Sequence, residues 1–145
     1  MKNKPLISII VNCLNGEKYL DEALKSVLNQ SYKNWEIIFF DNNSTDTSYL
    51  ILKKYKDKRI KYFKSKKTYK LYKARNLALE KCKGQMITFL DVDDWWAKSK
   101  LKKQVDFFFK NQTVEVLYSN VYIYNEKKKA TKIFIKNKLN SGYLT

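Results

Sequence analysis

Residues 6–40, LISIIVNCLNGEKYLDEALKSVLNQSYKNWEIIFF, contain two apolar runs separated by an amphipathic segment. The runs at 6–12 and 35–40 are rich in Ile, Val and Phe, and this composition predicts two buried strands. Residues 17–30 between them place apolar side chains at helical spacing, which predicts one buried helix face. The apolar positions are Tyr19, Leu20, Ala23, Leu24, Val27 and Leu28. A strand, a helix and a second strand in this order are typical of a parallel β-α-β unit.

The alternation of strands and helices continues along the chain. Ser44 is a plausible N-cap for a helix that runs to about Tyr55. Residues 59–64 alternate like an exposed or edge strand, and residues 86–90 read as another buried strand. Residues 114–124 are strand-like as well.

Two further helices follow from apolar spacing. The first covers residues 70–82, and Gly84 fits its C-cap. Its inward positions are predicted to be Leu71, Ala74, Leu77 and Ala78. The second covers about residues 98–110, with Leu101, Val105 and Phe108 on one face.

The resulting order β-α-β-α-β-α-β-α-β predicts an α/β fold. Such an order gives a mainly parallel sheet with helices on both faces. The chain has 145 residues and no obvious linker, so we expect one domain over residues 1–145. No apolar run reaches the roughly 18 residues of a membrane span.

Composition narrows the possible chemistry. The chain contains no histidine, which excludes catalysis by histidine and most zinc sites. Cys13 and Cys82 are the only cysteines, and without a recognisable secretory signal they predict free thiols in a reducing, cytoplasmic compartment.

The net charge of +16 predicts an anionic partner, although a solvated lysine surface explains it equally well. Residues 61–73, KYFKSKKTYKLYK, interleave lysines with aromatic rings, as proteins that bind single-stranded nucleic acid do. Tyr62 and Phe63 fit a strand, however, and Leu71 and Ala74 fit a helix face. We therefore expect no nucleic-acid partner.

Three polar clusters follow predicted strands, at residues 12–15, 41–46 and 91–94. The carboxyl ends of parallel strands share one edge of the sheet, and ligands bind beyond that edge. The clusters therefore predict a site there.

Asp91 and Asp93 are the first candidates for a metal site. Carboxylates two residues apart on an extended segment point to the same side, and their repulsion is relieved by a cation between them. Mg²⁺ or Mn²⁺ takes such ligands together with phosphate oxygens. The alternative is that Asp93 or Asp94 caps the helix at 98–110.

Arg75 and Asp41 each allow two interpretations. The Arg75 guanidinium could grip a phosphate or form a purely structural ion pair with one of the aspartates. Asp41 could accept hydrogen bonds from backbone N–H groups of the following turn, or from an N–H group of a ligand. The chain has three glycines and no glycine-rich phosphate loop.

Several stretches together resemble family 2 glycosyltransferases, which have the Rossmann-like GT-A fold. They are SIIVNCLNGEKYLDEALKSVLNQSYKNWEIIFFDNNSTD, KARNLALEKCKGQMITFLDVDDWW and KSKLKKQVDFF, within residues 6–124. The resemblance implies that the chain is the N-terminal half of such an enzyme, which binds a nucleotide-sugar, usually a UDP-sugar.

The resemblance also implies roles for individual residues. Asn15 and Glu17 match the segment that lines the nucleoside pocket, and Asp41 matches an aspartate that reads the base. Arg75 matches an arginine near the diphosphate. The matched D-x-D pair places Asp91 toward the ribose or metal and Asp93 on the metal, which is Mn²⁺ or Mg²⁺.

Some positions depart from the family pattern. Asn12 and Leu14 stand where the family usually has proline and an aromatic residue, so a ring that stacks on uracil is lost or replaced. Asn42 and Asn43 replace the usual Asp and Gly, although Asn43 can adopt a left-handed turn conformation. Tyr72 stands where a glycine is frequent.

The chain also differs from the family that it resembles in its length. Inverting members use a carboxylate base in a second half that binds the acceptor, so we expect the base beyond Thr145 and treat the chain as truncated. The implied acceptor is a saccharide or a lipid-linked sugar in surface polysaccharide synthesis. The alternative is a non-catalytic fragment that binds nucleotide-sugars. The lysines suggest, as a further hypothesis, peripheral contact with the anionic inner face of the membrane.

Overall fold

The computed structural model describes residues 4–134. The chain divides into two compact units, the first ending at Asp106 and the second beginning at Phe107. The expectation of one domain over residues 1–145 stays a prediction.

Strands and helices alternate through the first unit as the sequence predicted. The elements are β1 (Ile7–Cys13), α1 (Leu20–Leu28), β2 (Trp35–Asp41), α2 (Ser48–Lys53), β3 (Ile60–Lys64), α3 (Leu71–Leu79), β4 (Met86–Phe89) and α4 (Lys100–Lys110). The division between the two units falls within α4.

The four strands form one parallel sheet in the order β3-β2-β1-β4. In β1, Ile7 lies opposite Trp35 of β2 on one side and Met86 of β4 on the other. The chain therefore moves outward from β1 to β3 and then crosses to the far side of β1. This change of direction opens a crevice at the carboxyl ends of β1 and β4, where ligands bind in open α/β sheets.

Helices cover both faces of the sheet, as predicted. One face of the sheet packs with α1, α2 and α4 into the larger core, which includes Ile9, Val11, Leu24, Leu52, Phe39 and Leu101. The other face packs against α3, where Ile10, Ile38 and Phe40 contact Ala74 and Ala78. Small alanine side chains let α3 approach this face closely.

The buried side chain of Gln30 fixes the start of α4. Its Oε1 accepts a hydrogen bond from the backbone N–H of Leu101 at 3.1 Å, and its Nε2 donates to the carbonyl of Ala97 at 2.9 Å. The amide thus satisfies the Leu101 N–H, one of the donors at the helix start that have no partner within the helix, and also binds the residue segment just before α4. The loop after β4 is thereby anchored to the end of α1.

Two predicted helix caps are wrong. The second helix begins at Ser48 with Thr47 in the N-cap position, because the Ser44 N–H is taken by Asp41 Oδ1 in a tight turn. The third helix ends at Leu79, and Gly84 lies beyond it. Gly84 instead abuts the backbone at the start of β1.

Burial differs from prediction at α3 and β4. Leu71 was expected to point inward but is 52% exposed, because it occupies the first turn of α3, at the rim of the sheet. The strand at 86–90 was expected to be buried. It lies at the edge of the sheet, and Ile87 and Phe89 are about half exposed.

The second unit corrects the predicted strand at residues 114–124. Only its last residues are extended, as β5 (Tyr122–Asn125), and β5 pairs antiparallel with β6 (Ala130–Ile133). The side chains of both strands are exposed. No fifth parallel strand occurs within residues 4–134. In the same range, no helix has the length and apolarity needed to cross a membrane.

Candidate functional site

The polar clusters converge at the carboxyl edge of the sheet, as the sequence predicted. A cavity of about 200 Å³ opens there, at the crevice between β1 and β4. Its lining comes from four segments and consists of Asn12, Cys13, Leu14, Asn42, Leu71, Asp91, Val92 and Asp93. Of the predicted site residues, Asp91 and Asp93 line this cavity directly.

Asp91 and Asp93 lie in a turn rather than in the extended segment that the sequence suggested. The Asp94 N–H donates to the Asp91 carbonyl at 3.0 Å and closes the turn. Both carboxylates nevertheless line the same cavity, and both residues are exposed. Partial burial, followed by the charges of Asp93 and Asp91, raises the pKa of Asp94. The loop therefore concentrates negative charge.

Arg75 forms the ion pair that was one of its two interpretations. Its Nη2 donates to Asp91 Oδ1 at 2.7 Å, and its guanidinium lies 5.2 Å from the centre of the Phe89 ring. The pair holds Asp91 toward α3 and offsets part of the loop's negative charge. Contact of Arg75 with a phosphate stays a prediction.

The alternative role of Asp93 and Asp94 as helix caps is wrong, because α4 begins only at Lys100. Asp93 accepts no hydrogen bond from any residue in the described range 4–134, so its carboxylate oxygens are available to a cation. No three acidic, cysteine or histidine side chains within that range form a complete metal shell. Two carboxylates completed by phosphate oxygens and water are a donor set that suits Mg²⁺ or Mn²⁺.

Asp41 is 1% exposed, and both of its carboxylate oxygens are engaged inside the protein. Oδ1 accepts from the Ser44 N–H at 2.7 Å, and Oδ2 accepts from the Tyr62 hydroxyl at 2.8 Å. The structure therefore shows the backbone-turn interpretation of Asp41, with the Tyr62 hydroxyl as an additional donor. Recognition of a nucleobase by Asp41 stays a prediction. It would require a carboxylate oxygen of Asp41 to share its present hydrogen bond with the nucleobase or to exchange it.

Asn15 joins the loop after β1 to the turn after β2. Its backbone has a φ of 54°, and its Oδ1 accepts from the Thr45 N–H at 2.9 Å. The Asn15 N–H donates to Ser44 Oγ at 3.1 Å, and the Gly16 N–H donates to the buried Ser48 Oγ at 2.9 Å. These bonds fix the wall of the site next to the cavity.

Glu17 extends the same connection. Its Oε2 accepts from Thr47 Oγ1 at 2.6 Å and from the Thr47 N–H at 3.0 Å, while its N–H donates to Asp46 Oδ2. The hydroxyl of Thr47 and then its N–H lower the pKa of Glu17. Asn15 and Glu17 thus brace the two loops, and their contact with a nucleoside stays a prediction.

We expect Thr47→Val to raise the pKa of Glu17 toward its ordinary value, because the hydroxyl donor is lost while the backbone N–H remains. The Glu17 contacts require the charged form. Their stabilising effect is therefore present above the ordinary glutamate pKa and is lost as pH falls through the lower pKa of the folded state. Carbon NMR titration of the Glu17 carboxyl measures this. Thr45→Val, which removes a neighbouring hydroxyl, should leave the titration unchanged, and an unchanged pKa in Thr47→Val would contradict the assignment.

Asn42 and Asn43 shape the end of β2. The Asn42 amide pairs with the backbone of Tyr69, since Nδ2 donates to its carbonyl at 2.8 Å and Oδ1 accepts from its N–H at 2.9 Å. Asn43 has a φ of 66°, which confirms its predicted left-handed conformation. Sequence reasoning missed the pairing of Asn42, because no local pattern links residues this far apart.

The two tryptophans after the acidic turn differ. Trp96 is partly buried and packs against the larger core, and the Lys100 ammonium lies 4.0 Å from its ring centre. Trp95 is 45% exposed. Packing therefore accounts for Trp96.

These features define a class of protein. The fold is a parallel α/β sheet with a crevice where the strand order reverses, and the crevice carries paired carboxylates backed by an arginine. Such crevices bind nucleotides in doubly wound folds. The family model for glycosyl transferase family 2 matches residues 8–143. The chain belongs to this family.

Curated relatives agree with this assignment. The chain is 47% identical over 114 residues to an uncharacterized glycosyltransferase of Haemophilus influenzae, an alignment that covers 77% of this chain and 46% of the relative. It is 41% identical over 118 residues to UDP-Glc:alpha-D-GlcNAc-diphosphoundecaprenol beta-1,3-glucosyltransferase WfaP of Escherichia coli, covering 81% and 47%. The chain thus spans about half the length of these relatives.

Solved structures show the same architecture. A crystal structure of S. aureus TarS in complex with UDP-GlcNAc superposes with a TM-score of 0.71 at 32% identity, covering 73% of this chain and 32% of that one. The fold is therefore the GT-A fold that the resemblance implied.

Proposed function

We propose that this chain binds a nucleotide-diphospho-sugar, and that UDP is its nucleotide. The observation that carries the proposal is the cavity at the β1–β4 crevice, where Asp91 and Asp93 lie together and Arg75 holds Asp91. Family membership supports it, as does the neighbour TarS in complex with UDP-GlcNAc.

Asp91 and Asp93 would hold the Mn²⁺ or Mg²⁺ ion. When bound, such an ion neutralises charge on a leaving diphosphate as a Lewis acid. Arg75 keeps Asp91 oriented, and the hydrogen bonds between the loops at 15–17 and 44–48 hold the segment that follows β1 in place. These residues bind and orient the donor.

The proposed reaction is transfer of the sugar to a saccharide or lipid-linked acceptor in surface polysaccharide synthesis. The name of the relative WfaP specifies an acceptor linked to diphosphoundecaprenol, which supports an acceptor of this kind. Deprotonation of the acceptor hydroxyl needs a general base. We assign no base within residues 4–134.

Isothermal titration with UDP and UDP-sugars tests donor binding, first with Mn²⁺ and then with EDTA. We expect binding that requires the metal. The proposal would be contradicted if a cooperatively folded chain bound no nucleoside diphosphate in the presence of Mn²⁺ or Mg²⁺.

The second candidate is a non-catalytic module that binds nucleotide-sugars. It is favoured because the side chains that line the cavity serve to hold a metal and a donor, and no general base is assigned among residues 4–134. Incubation with UDP-sugar labelled in the sugar separates the two candidates. Release or transfer of label above background excludes the non-catalytic module.

We also propose a cytoplasmic location with peripheral contact at the anionic face of the membrane. Cys13 and Cys82 are free thiols, as expected in a reducing compartment. Residues 58–79 carry nine Lys and Arg and no Asp or Glu. Leu71, which lines the donor cavity, and the neighbouring Tyr72 are exposed among these lysines. A lysine close to an anionic bilayer contributes about 1 kcal/mol.

We expect Lys→Gln replacement at residues 66, 67, 70 and 73 together to weaken binding to vesicles with anionic lipid by about tenfold or more. All four side chains are exposed, so folding should be preserved. Replacement of the exposed lysines 33, 53, 54 and 56 removes the same charge outside residues 58–79 and is the matched control. Vesicle sedimentation measures the binding. Equal losses of vesicle binding in both variants would contradict a specific membrane-binding face, because total charge alone would then determine binding.

A further inference from the structure

The side-chain amide of Asn12 is buried without a hydrogen-bond partner. Both Nδ2 and Oδ1 are inaccessible to solvent, and neither has a partner among residues 4–134. A buried polar group without a partner costs folding free energy, so such groups are rare in folded proteins. The amide of Asn42, which lines the same cavity, is by contrast fully paired with the backbone of Tyr69.

The position of Asn12 in the sheet directs its side chain to the site. Side chains alternate along β1, so Asn12 lies on the same face as Ile10, which packs against α3. Asn12 is the last residue but one of β1 and lines the cavity. Its amide therefore lies on the floor of the crevice, beside the acidic turn.

The surroundings of the amide suit a flat ring rather than a phosphate. Leu14 and Leu71 line the cavity as apolar walls and are 47% and 52% exposed. Exposed side chains change rotamer on a picosecond to nanosecond timescale, so either leucine can move aside for a ligand. A phosphate only accepts hydrogen bonds and would leave Oδ1 unsatisfied, whereas an amide is matched by an N–H donor beside an acceptor.

We propose that the Asn12 amide hydrogen-bonds the edge of the nucleobase of the donor and so determines affinity for it. This inference rests on the proposed function. A nucleobase edge carries an N–H donor and an acceptor side by side, as in the pairing of asparagine with adenine. The amide is already removed from water in the free protein. Base binding therefore gains two hydrogen bonds without a further desolvation cost on the protein side.

The test compares Asn12→Val with Asn12→Thr, two isosteric side chains that differ by one hydroxyl. Binding of UDP or GDP, whichever the wild-type chain binds more tightly, is measured with Mn²⁺. We expect Asn12→Val to weaken it about tenfold or more and Asn12→Thr to weaken it less. Binding of Mn²⁺ with inorganic pyrophosphate, which has no base, should change less than twofold.

Thermal unfolding of the free variants gives a second readout. Asn12→Val should melt at a higher temperature than the wild type without ligand, because it removes an unsatisfied buried amide. A lower melting temperature with unchanged nucleotide affinity would overturn the inference and make Asn12 structural. Equal losses for nucleotide and pyrophosphate would also overturn it. If the wild-type chain binds no nucleoside diphosphate, the proposed function itself fails.

Discussion

Replacement of Asp93 by Asn should remove most of the thermal stabilisation of this chain by UDP with Mn²⁺. A ligand at about 100 times its Kd stabilises a protein by about 2.7 kcal/mol, which is about 8 °C for a domain of this size. If loss of one metal-binding carboxylate weakens binding about 100-fold, only about 1 °C of that shift remains. Melting curves with UDP, with and without Mn²⁺, measure the effect.

Asp106→Asn is the matched control for this variant. Asp106 is a partly exposed carboxylate on α4 that pairs with Lys102 at 2.5 Å, so its loss removes one acidic side chain outside the cavity lining. The control should keep the full shift. A Mn²⁺-dependent shift of normal size in Asp93→Asn would mean that the cation is held elsewhere.

Gly84→Ala should destabilise the fold by about 3 kcal/mol. A Cβ at this position would lie 2.6 Å from the Leu6 carbonyl oxygen and 2.6 Å from the Ser8 nitrogen, and neither backbone atom can rotate away. The Gly84 N–H also donates to Ser8 Oγ, which in turn donates to the buried Glu36. The clash thus falls where the chain enters β4, the strand that carries Asp91 at its end.

Urea unfolding of the free protein measures this loss. Lys83→Ala is the control, because the Lys83 side chain is exposed and its backbone bond to Glu36 survives the change. We expect that control to stay within about 0.5 kcal/mol of wild type. Wild-type stability in Gly84→Ala would contradict the close packing of this turn against β1.

Periodicity in the sequence was sufficient for the framework of the fold. The runs at 6–12 and 35–40 and the helix between them were found because burial imposes a regular spacing of apolar side chains. The caps at Ser44 and Gly84 were wrong because tertiary contacts decide them. Ser44 is drawn into the turn at Asp41, and Gly84 serves close packing without a positive φ.

The site was predicted in outline but not in its internal bonds. Ligands bind beyond the carboxyl ends of parallel strands, and this rule placed the acidic turn and the end of β1 at one edge of the sheet. An ion pair between Arg75 and an aspartate was one of two predicted alternatives, and the structure shows it with Asp91. The partners of Asn15 and Glu17 lie about thirty residues away along the chain, where no spacing rule applies. The sequence did not indicate a role for the Asn12 amide, because its lack of a hydrogen-bond partner is visible only from the burial of its atoms in the structure.

Anomalous diffraction from a crystal of the chain with UDP and Mn²⁺ locates both the metal ion and the nucleotide. We expect a manganese peak at Asp91 and Asp93, with the diphosphate beside it and the nucleobase in the cavity that Asn12 lines. A nucleotide at the opposite end of the sheet, in the cavity lined by Lys4, Pro5, Leu6, Asn34 and Gln85, would contradict it. So would a nucleotide bound without metal at the two aspartates.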